Sequence, residues 1–360
     1  MNRTIMFLLI SFIGVSCNNK KELDFLTVLV DVEQDNALLL SEIVDDLQTV
    51  ELELTEKSII GNLTQQERVF VFDDYIILLD GHKNQILLFD SYGKFISSIG
   101  SKGSGPGEFT QISDITADIL NKRIYVATDS KLLTYDFEGN FLREVPCLGF
   151  SKYLNYIDNQ LMLITTVVGQ EDNGGKYFNE AIVYKYNNEG RIEDSIGIYK
   201  NYFDKMLGIA STNKNYMTVS GEHTYLYYPV FMLDPVLRDT LYQLNKNQLH
   251  PHLRIVFSDG KTENRFIHKL YRSTRYVFSH YHNSDQMEGF VNYYSCYDTK
   301  TNKSYHQRNG YIDDLYTGER VRIRPLDMDT ERFYYFHTNL NNERLGDEAN
   351  PTLYIGVLKK

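Results

Sequence analysis

Short apolar runs separated by turn residues dominate the middle of the chain. From Val69 it reads VFVFDDYIILLDGHKNQILLFDSYGKFISSIG, with breaks at Asp73-Asp74, at Asp80 to Asn84 and at Ser91 to Gly93. Runs of five or six residues at this spacing predict antiparallel hairpins. The pattern then recurs. Ile124 to Val145, IYVATDSKLLTYDFEGNFLREV, aligns with Ile76 to Ile99, so that Leu88-Phe89-Asp90 matches Thr134-Tyr135-Asp136 and Tyr92-Gly93-Lys94-Phe95 matches Glu138-Gly139-Asn140-Phe141. A third copy, AIVYKYNNEGRIEDSIG, runs from Ala181 to Gly197, and the turn glycines 93, 139 and 190 lie 46 and 51 residues apart.

Repeats of about 40–50 residues, each with several strands, predict a β-propeller. Weaker copies follow at Phe231 to Leu244 with Leu253 to Phe257, at Arg275 to Ser279 with Phe290 to Asp298, and at Arg332 to Thr338 with Thr352 to Leu358. The expectation is an all-β, six-bladed propeller of four-stranded antiparallel blades, forming one domain over residues 26–360. Of two apolar runs ahead of the first clear repeat, Leu26 to Val32 and Val50 to Leu54, one is expected to complete the last blade and close the ring. Closure removes exposed sheet edges, which otherwise invite aggregation.

The N-terminus is a separate matter. Met1 to Cys17, MNRTIMFLLISFIGVSC, has a basic residue, an apolar run from Ile5 to Ile13 and then small residues. That run is too short to span a bilayer, which takes about 20 residues, and fits a secretory signal. Gly14-Val15-Ser16-Cys17 resembles a bacterial lipobox, with Gly14 where leucine is commonest; the alternative is an ordinary signal peptide that ends near a cysteine. The lipobox reading makes residues 1–16 the signal, Cys17 the lipidated residue and 17–25 a polar tether. Acyl chains on one cysteine add about 0.8 kcal/mol of membrane affinity per buried methylene.

Charge narrows the partners. With 37 basic against 48 acidic side chains the net charge is −11, which argues against nucleic acid. The 28 tyrosines, absence of tryptophan and only seven prolines lean towards strands. Cys147 and Cys296 can pair in an oxidising envelope or stand as buried free thiols.

Candidate chemistry is sparse. GSKGSGPGEF, Gly100 to Phe109, lacks the Lys-Ser/Thr pair and helix of a phosphate-binding loop, so it reads as a blade connector in which Phe109 plugs apolar surface and Glu108 accepts backbone hydrogen bonds. His280 and His282, two apart on a strand, share a face, as do His250 and His252, but no third ligand is fixed by spacing and no metal or cofactor is expected. Arg320, Arg322 and Arg324 alternate and form a candidate basic stripe for anionic ligands, or a solvated outer face. His223 and Tyr225, in EHTYLYY, belong to an aromatic segment that is either a glycan platform or packing between blades. No Gly-x-Ser-x-Gly nucleophile elbow occurs.

Four features together resemble the six-bladed β-propeller lipoproteins of the Bacteroidetes, relatives of the NHL-repeat propellers: the lipobox cysteine, FDSYGKFISSIGSKGSGPGEF, Arg238-Asp239-Thr240-Leu241-Tyr242 and the C-terminal Asn350-Pro351-Thr352-Leu353. The resemblance implies a six-bladed propeller on an outer-membrane lipid anchor, with the periplasmic and surface faces both open. It implies no activity. The function expected is a non-catalytic module that binds a glycan, a peptide or an envelope protein; the alternative is a propeller lyase or hydrolase with its site at the channel mouth, an argument from fold analogy alone.

Overall fold

The computed structural model describes residues 25–33, 36–61, 63, 67–171, 174–205, 215–229, 237–262, 265–285, 289–337 and 349–360. The signal segment, Cys17 and most of the tether lie outside the described residues. Among the described residues strands follow one another, with the four-residue helix Leu40–Ile43 between the first two. No helix among the described residues is long and apolar enough to cross a membrane.

Among the described residues the strands form six sheets of four or more. Sheet I comprises Arg68–Val71, Tyr75–Asp80, Gln85–Asp90 and Phe95–Ser98; sheet II comprises Asp114–Asp118, Arg123–Ala127, Lys131–Asp136 and Phe141–Pro146. Sheet III runs through Phe150–Ile157, Gln160–Gln170, Tyr177–Tyr186 and Ile192–Phe203. Sheet IV holds Met217–Ser220, His223–Leu226, Thr240–Asn245 and Gln248–Phe257, with Leu26–Val30 added in parallel to its last strand. Sheet V holds Arg265–Arg272, Tyr276–Asp285, Gly289–Asp298 and Lys303–Arg308. Sheet VI takes Arg324–Asp327, Arg332–His337 and Thr352–Leu358 from the C-terminal end and its fourth strand, Val44–Glu51, from the N-terminal end. Both early apolar runs therefore join sheets, but different ones. Serial antiparallel sheets of this kind are the organisation of a β-propeller.

The core explains why the apolar runs show no clean alternation. The inner strands of each sheet are covered on both faces, so both sets of their side chains are apolar, whereas the fourth strands Phe95–Ser98 and Phe141–Pro146 are largely exposed. In Tyr75–Asp80, Ile77 and Leu79 pack towards sheet II, beside Ile115, Val126 and Tyr135, whereas Ile76 and Leu78 pack towards sheet VI, beside Tyr334 and Leu353. Sheets II and III, III and IV, IV and V, and V and VI each enclose a further cluster. Tyrosines serve these interfaces because a ring fills the gap while the hydroxyl finds a carbonyl. Tyr153 donates to Met217 O at 2.9 Å, Tyr227 to Ile267 O at 2.9 Å and Tyr311 to Ser295 O at 2.9 Å. Cys147 and Cys296 stand as free thiols in different clusters. Burial pushes the Cys147 thiol up to about 11 and that of Cys296 well above its usual range.

The repeat signature has a hydrogen-bond basis. The third hairpin turns of sheets I, II and III carry Asp90, Asp136 and Asn187, whose side chains accept the backbone N–H of Lys94 at 2.9 Å, of Asn140 at 2.7 Å and of Arg191 at 2.9 Å. Gly93, Gly139 and Gly190 supply the left-handed residue, with φ of 87°, 86° and 78°. At Gly93 a Cβ would stand 2.2 Å from the Glu51 carbonyl oxygen. Gly93→Val is expected to cost about 2–4 kcal/mol in urea unfolding. Gly197→Ala, where a Cβ meets nothing within 4 Å, is the control and should lie within about 1 kcal/mol of the parent chain. Equal stabilities would overturn the steric account.

The connector Gly100 to Phe109 behaves as a structural turn. Ser101–Lys102 pairs with Glu108–Phe109, Glu108 Oε2 accepts the Gly105 N–H at 2.8 Å, and Phe109 is buried between sheets I and II.

Candidate functional site

The first strands of sheets I, II, III, IV and VI surround a cavity of about 460 Å³. Its size suits a small ligand, for which pockets run to about 300–1,000 Å³. The walls mix polar and aromatic groups. Asp73, Asn155, Asp327 and Arg332 bring hydrogen-bonding capacity, and Phe70 and Tyr156 bring ring faces. Phe70 stacks near Phe72, centroids 6.5 Å apart, and Tyr156 stacks on Tyr125 at 5.8 Å. Desolvation, followed by the nearby Asp118, pushes the Tyr156 phenol up to about 12, so it stays a neutral donor at neutral pH. Arg332 Nη1 reaches the Val71 carbonyl at 3.4 Å, linking sheets VI and I, and has no carboxylate partner among the described residues.

One group of the lining is committed to holding the sheets together. Arg68 Nη1 donates to Asp114 Oδ2 and to the Leu154 carbonyl, both at 2.7 Å, while its guanidinium lies 4.5 Å from the Tyr153 ring centroid. Asp114 Oδ2 also accepts the Leu154 N–H at 2.7 Å. Sheets I, II and III thus meet at one buried ion pair. Burial works against the charge on Arg68, and the Asp114 carboxylate overcomes it and keeps the guanidinium protonated. The preceding residue, Glu67, pairs with Arg324 and joins sheet I to sheet VI.

The residues singled out from the sequence lie elsewhere and do not converge. Arg324 is buried against Glu67, whereas Arg320 is exposed and donates to the carbonyls of Arg308 and Gly310. The expected basic stripe over Arg320, Arg322 and Arg324 is therefore broken: Arg320–Val321 pairs with Tyr311–Ile312, and Arg324 begins sheet VI. His280 and His282 do share a face of sheet V, and a third ring, His268, joins them because a β-bulge between Ile267 and Lys269 turns it to the same side. His268 Nε2 and His282 Nδ1 are 2.5 Å apart, and His280 Nε2 meets Asn292 Oδ1 at 3.0 Å with its ring stacked on Tyr294. Burial, with the neighbouring His282 and Lys269, pushes His268 down to about 4, so these rings are neutral at pH 7. No group of three or more His, Cys, Asp or Glu among the described residues has the geometry to hold a metal ion.

His223 belongs to a different group, with Gln243 Nε2 at 3.1 Å from its Nδ1. Tyr225 is buried, its ring 4.6 Å from that of His252, which takes Arg272 Nη1 at 2.7 Å. Tyr227 and Tyr228 are buried as well. The tyrosines of this segment pack between sheets and only Glu222 and His223 at its start are exposed, so the tyrosines offer no exposed platform for a sugar ring. Sequence reasoning passed over Arg68, Asn155, Tyr156 and Arg332. For Arg68, Asn155 and Tyr156 the visible signal is a polar or charged residue on the first strand of a repeat, where the neighbouring strands are almost wholly apolar; Arg332 opens the second strand of sheet VI.

The fold and cavity define an all-β protein of the propeller class. The chain belongs to the family described as a domain of unknown function, DUF4934, which matches residues 24–353. A protein of Bacteroides fragilis described as exported is similar in structure, at a TM-score of 0.62 and 16% identity over 93% of this chain and 99% of that one. A member of the DUF4221 family from Bacteroides vulgatus is similar at a TM-score of 0.51 and 11% identity, over 91% of this chain and 99% of that one. At these identities the likeness speaks for the fold alone. No curated protein matches the sequence.

Proposed function

We propose that this chain is an exported, lipid-anchored envelope protein of the Bacteroidetes propeller type, attached through Cys17, whose six sheets close into one ring around a central ligand-binding cavity. Closure is supported by the core. Six clusters each join a sheet to the next, and the cluster containing Tyr334, Leu353, Ile76 and Leu78 joins sheet VI back to sheet I. Export accords with the exported relative from Bacteroides fragilis.

The module binds rather than catalyses. Its ligand is a hydroxyl-rich, uncharged glycan end that takes hydrogen bonds from Asn155 and Arg332, donates a hydroxyl to the Asp327 carboxylate and rests on the Tyr156 and Phe70 rings. The observation that carries this reading is the cavity itself: about 460 Å³, framed by five sheets, with amide, carboxylate and guanidinium groups beside aromatic faces. The test is a glycan array on the soluble domain beginning after Cys17, followed by calorimetry on the hits. Tyr156→Ala and Arg332→Ala are each expected to weaken binding about tenfold or more, roughly 1.4 kcal/mol. Binding that both variants leave intact would overturn the site. Release of shortened or unsaturated sugars from a bound glycan would overturn the non-catalytic reading and favour the lyase or hydrolase alternative.

A further inference from the structure

Between sheets V and VI lies a second, much smaller cavity of about 20 Å³, separate from the central one. Lys269, Arg322, Arg324, His280, Ser279 and Tyr294 line it, and no carboxylate does. Arg324 pairs with Glu67, which does not line the cavity. Lys269 is 8% exposed, and its ammonium has no hydrogen-bond or ion-pair acceptor among the described residues. Arg322, an exposed residue, likewise forms no ion pair among them, so two cations of like sign, one buried and one at the surface, line the same small cavity in a protein of net charge −11.

A buried ammonium without a counter-charge is costly, and proteins resolve it by pairing or by losing the proton. Burial and the neighbouring Arg322 push Lys269 down only to about 8, which leaves it mostly charged at pH 7. Its partner then comes from outside the chain, as water or as an anion. We propose that this cavity is a binding site for one small monovalent anion of chloride size, held between the Lys269 ammonium and the Arg322 guanidinium with a hydroxyl donor from Tyr294. Size sets the class: about 10–15 Å³ admits a single water molecule, so 20 Å³ admits one ion of atomic size and excludes sulfate and phosphate. The position gives it a task. The ion would neutralise Lys269 at the joint between the fifth and sixth sheets, where His280 stacks on Tyr294.

The experiment is thermal unfolding of the whole domain in sodium chloride and in sodium gluconate at equal ionic strength, so that general screening is matched. Chloride and bromide are expected to raise the midpoint by about 2 °C or more in a saturable way, through binding to the folded state alone. Lys269→Met should abolish the difference. Arg322→Gln, at an exposed position that folding tolerates, should shift half-saturation about tenfold towards higher chloride. A bromide-soaked crystal should show an anomalous peak between the side chains of Lys269 and Arg322. Coincident midpoints in the two salts, or a chloride effect that survives Arg322→Gln unchanged, would overturn the site and leave a water in the cavity as the explanation.

Discussion

Arg68→Met is expected to lower the unfolding free energy by about 3–5 kcal/mol, the usual consequence of leaving one member of a buried ion pair unpartnered. The side chain of Asp114 is fully buried, and its Oδ2 accepts both the Arg68 guanidinium and the Leu154 N–H. Without the guanidinium the carboxylate keeps its charge in a site from which water is excluded, or takes up a proton and weakens its bond to Leu154. The Leu154 carbonyl loses its donor at the same time. Three sheets are loosened at one point. The double variant Arg68→Met with Asp114→Leu removes both charges and should recover most of the loss, because a buried pair replaced by apolar residues is often close to neutral. Urea denaturation of the three proteins decides the matter. A single variant within about 1 kcal/mol of the parent chain would show that the pair does not lock the sheets.

Deleting the strand Val44–Glu51 is expected to have the larger effect: a chain that starts at Leu54 should lose cooperative unfolding and aggregate. Thr352–Leu358 would be left with an unpaired edge, and exposed edges template aggregation. Val44 and Leu47 would also leave the cluster shared by sheets V and VI. A chain that starts at Asn36 loses only Leu26–Val30, which adds outside the four strands of sheet IV, and should stay folded at a lower midpoint. A peptide spanning residues 40–53, added to the shorter chain, should restore the transition by strand addition. Circular dichroism and size-exclusion chromatography report both outcomes. If the chain from Leu54 unfolds as the parent does, the sheet is complete without its N-terminal strand, and the proposed closure of the ring fails with it.

The hairpins were legible because their determinants are local. Gly93, Gly139 and Gly190 each sit at left-handed φ beside a side chain, Asp90, Asp136 or Asn187, that caps the turn, and both members of the motif lie within four residues. The later repeats solve the same turn without the glycine, with Lys246 in sheet IV and Asn302 in sheet V at φ of 53° and 57°, although Asp298 still caps the sheet V turn by accepting the Lys300 N–H at 2.9 Å. The connector was legible for the same reason, since Gly105 and Glu108 bond to each other.

The site was not legible, because its members come from five sheets. Tyr156 and Arg332 are 176 residues apart, and nothing near either one marks it as lining a common cavity. The histidine group shows the limit in miniature. Spacing placed His280 and His282 on one face, but His268 reaches them only through a bulge on the adjacent strand, a register shift that depends on pairing. Along the chain, residue order settled the strands, their turns and the near-continuous apolar character that demands cover on both faces. Which sheet receives each N-terminal strand, which charges meet and which rings stay exposed were decided only by packing, since those energies arise between residues tens to hundreds of positions apart and leave no local pattern to read.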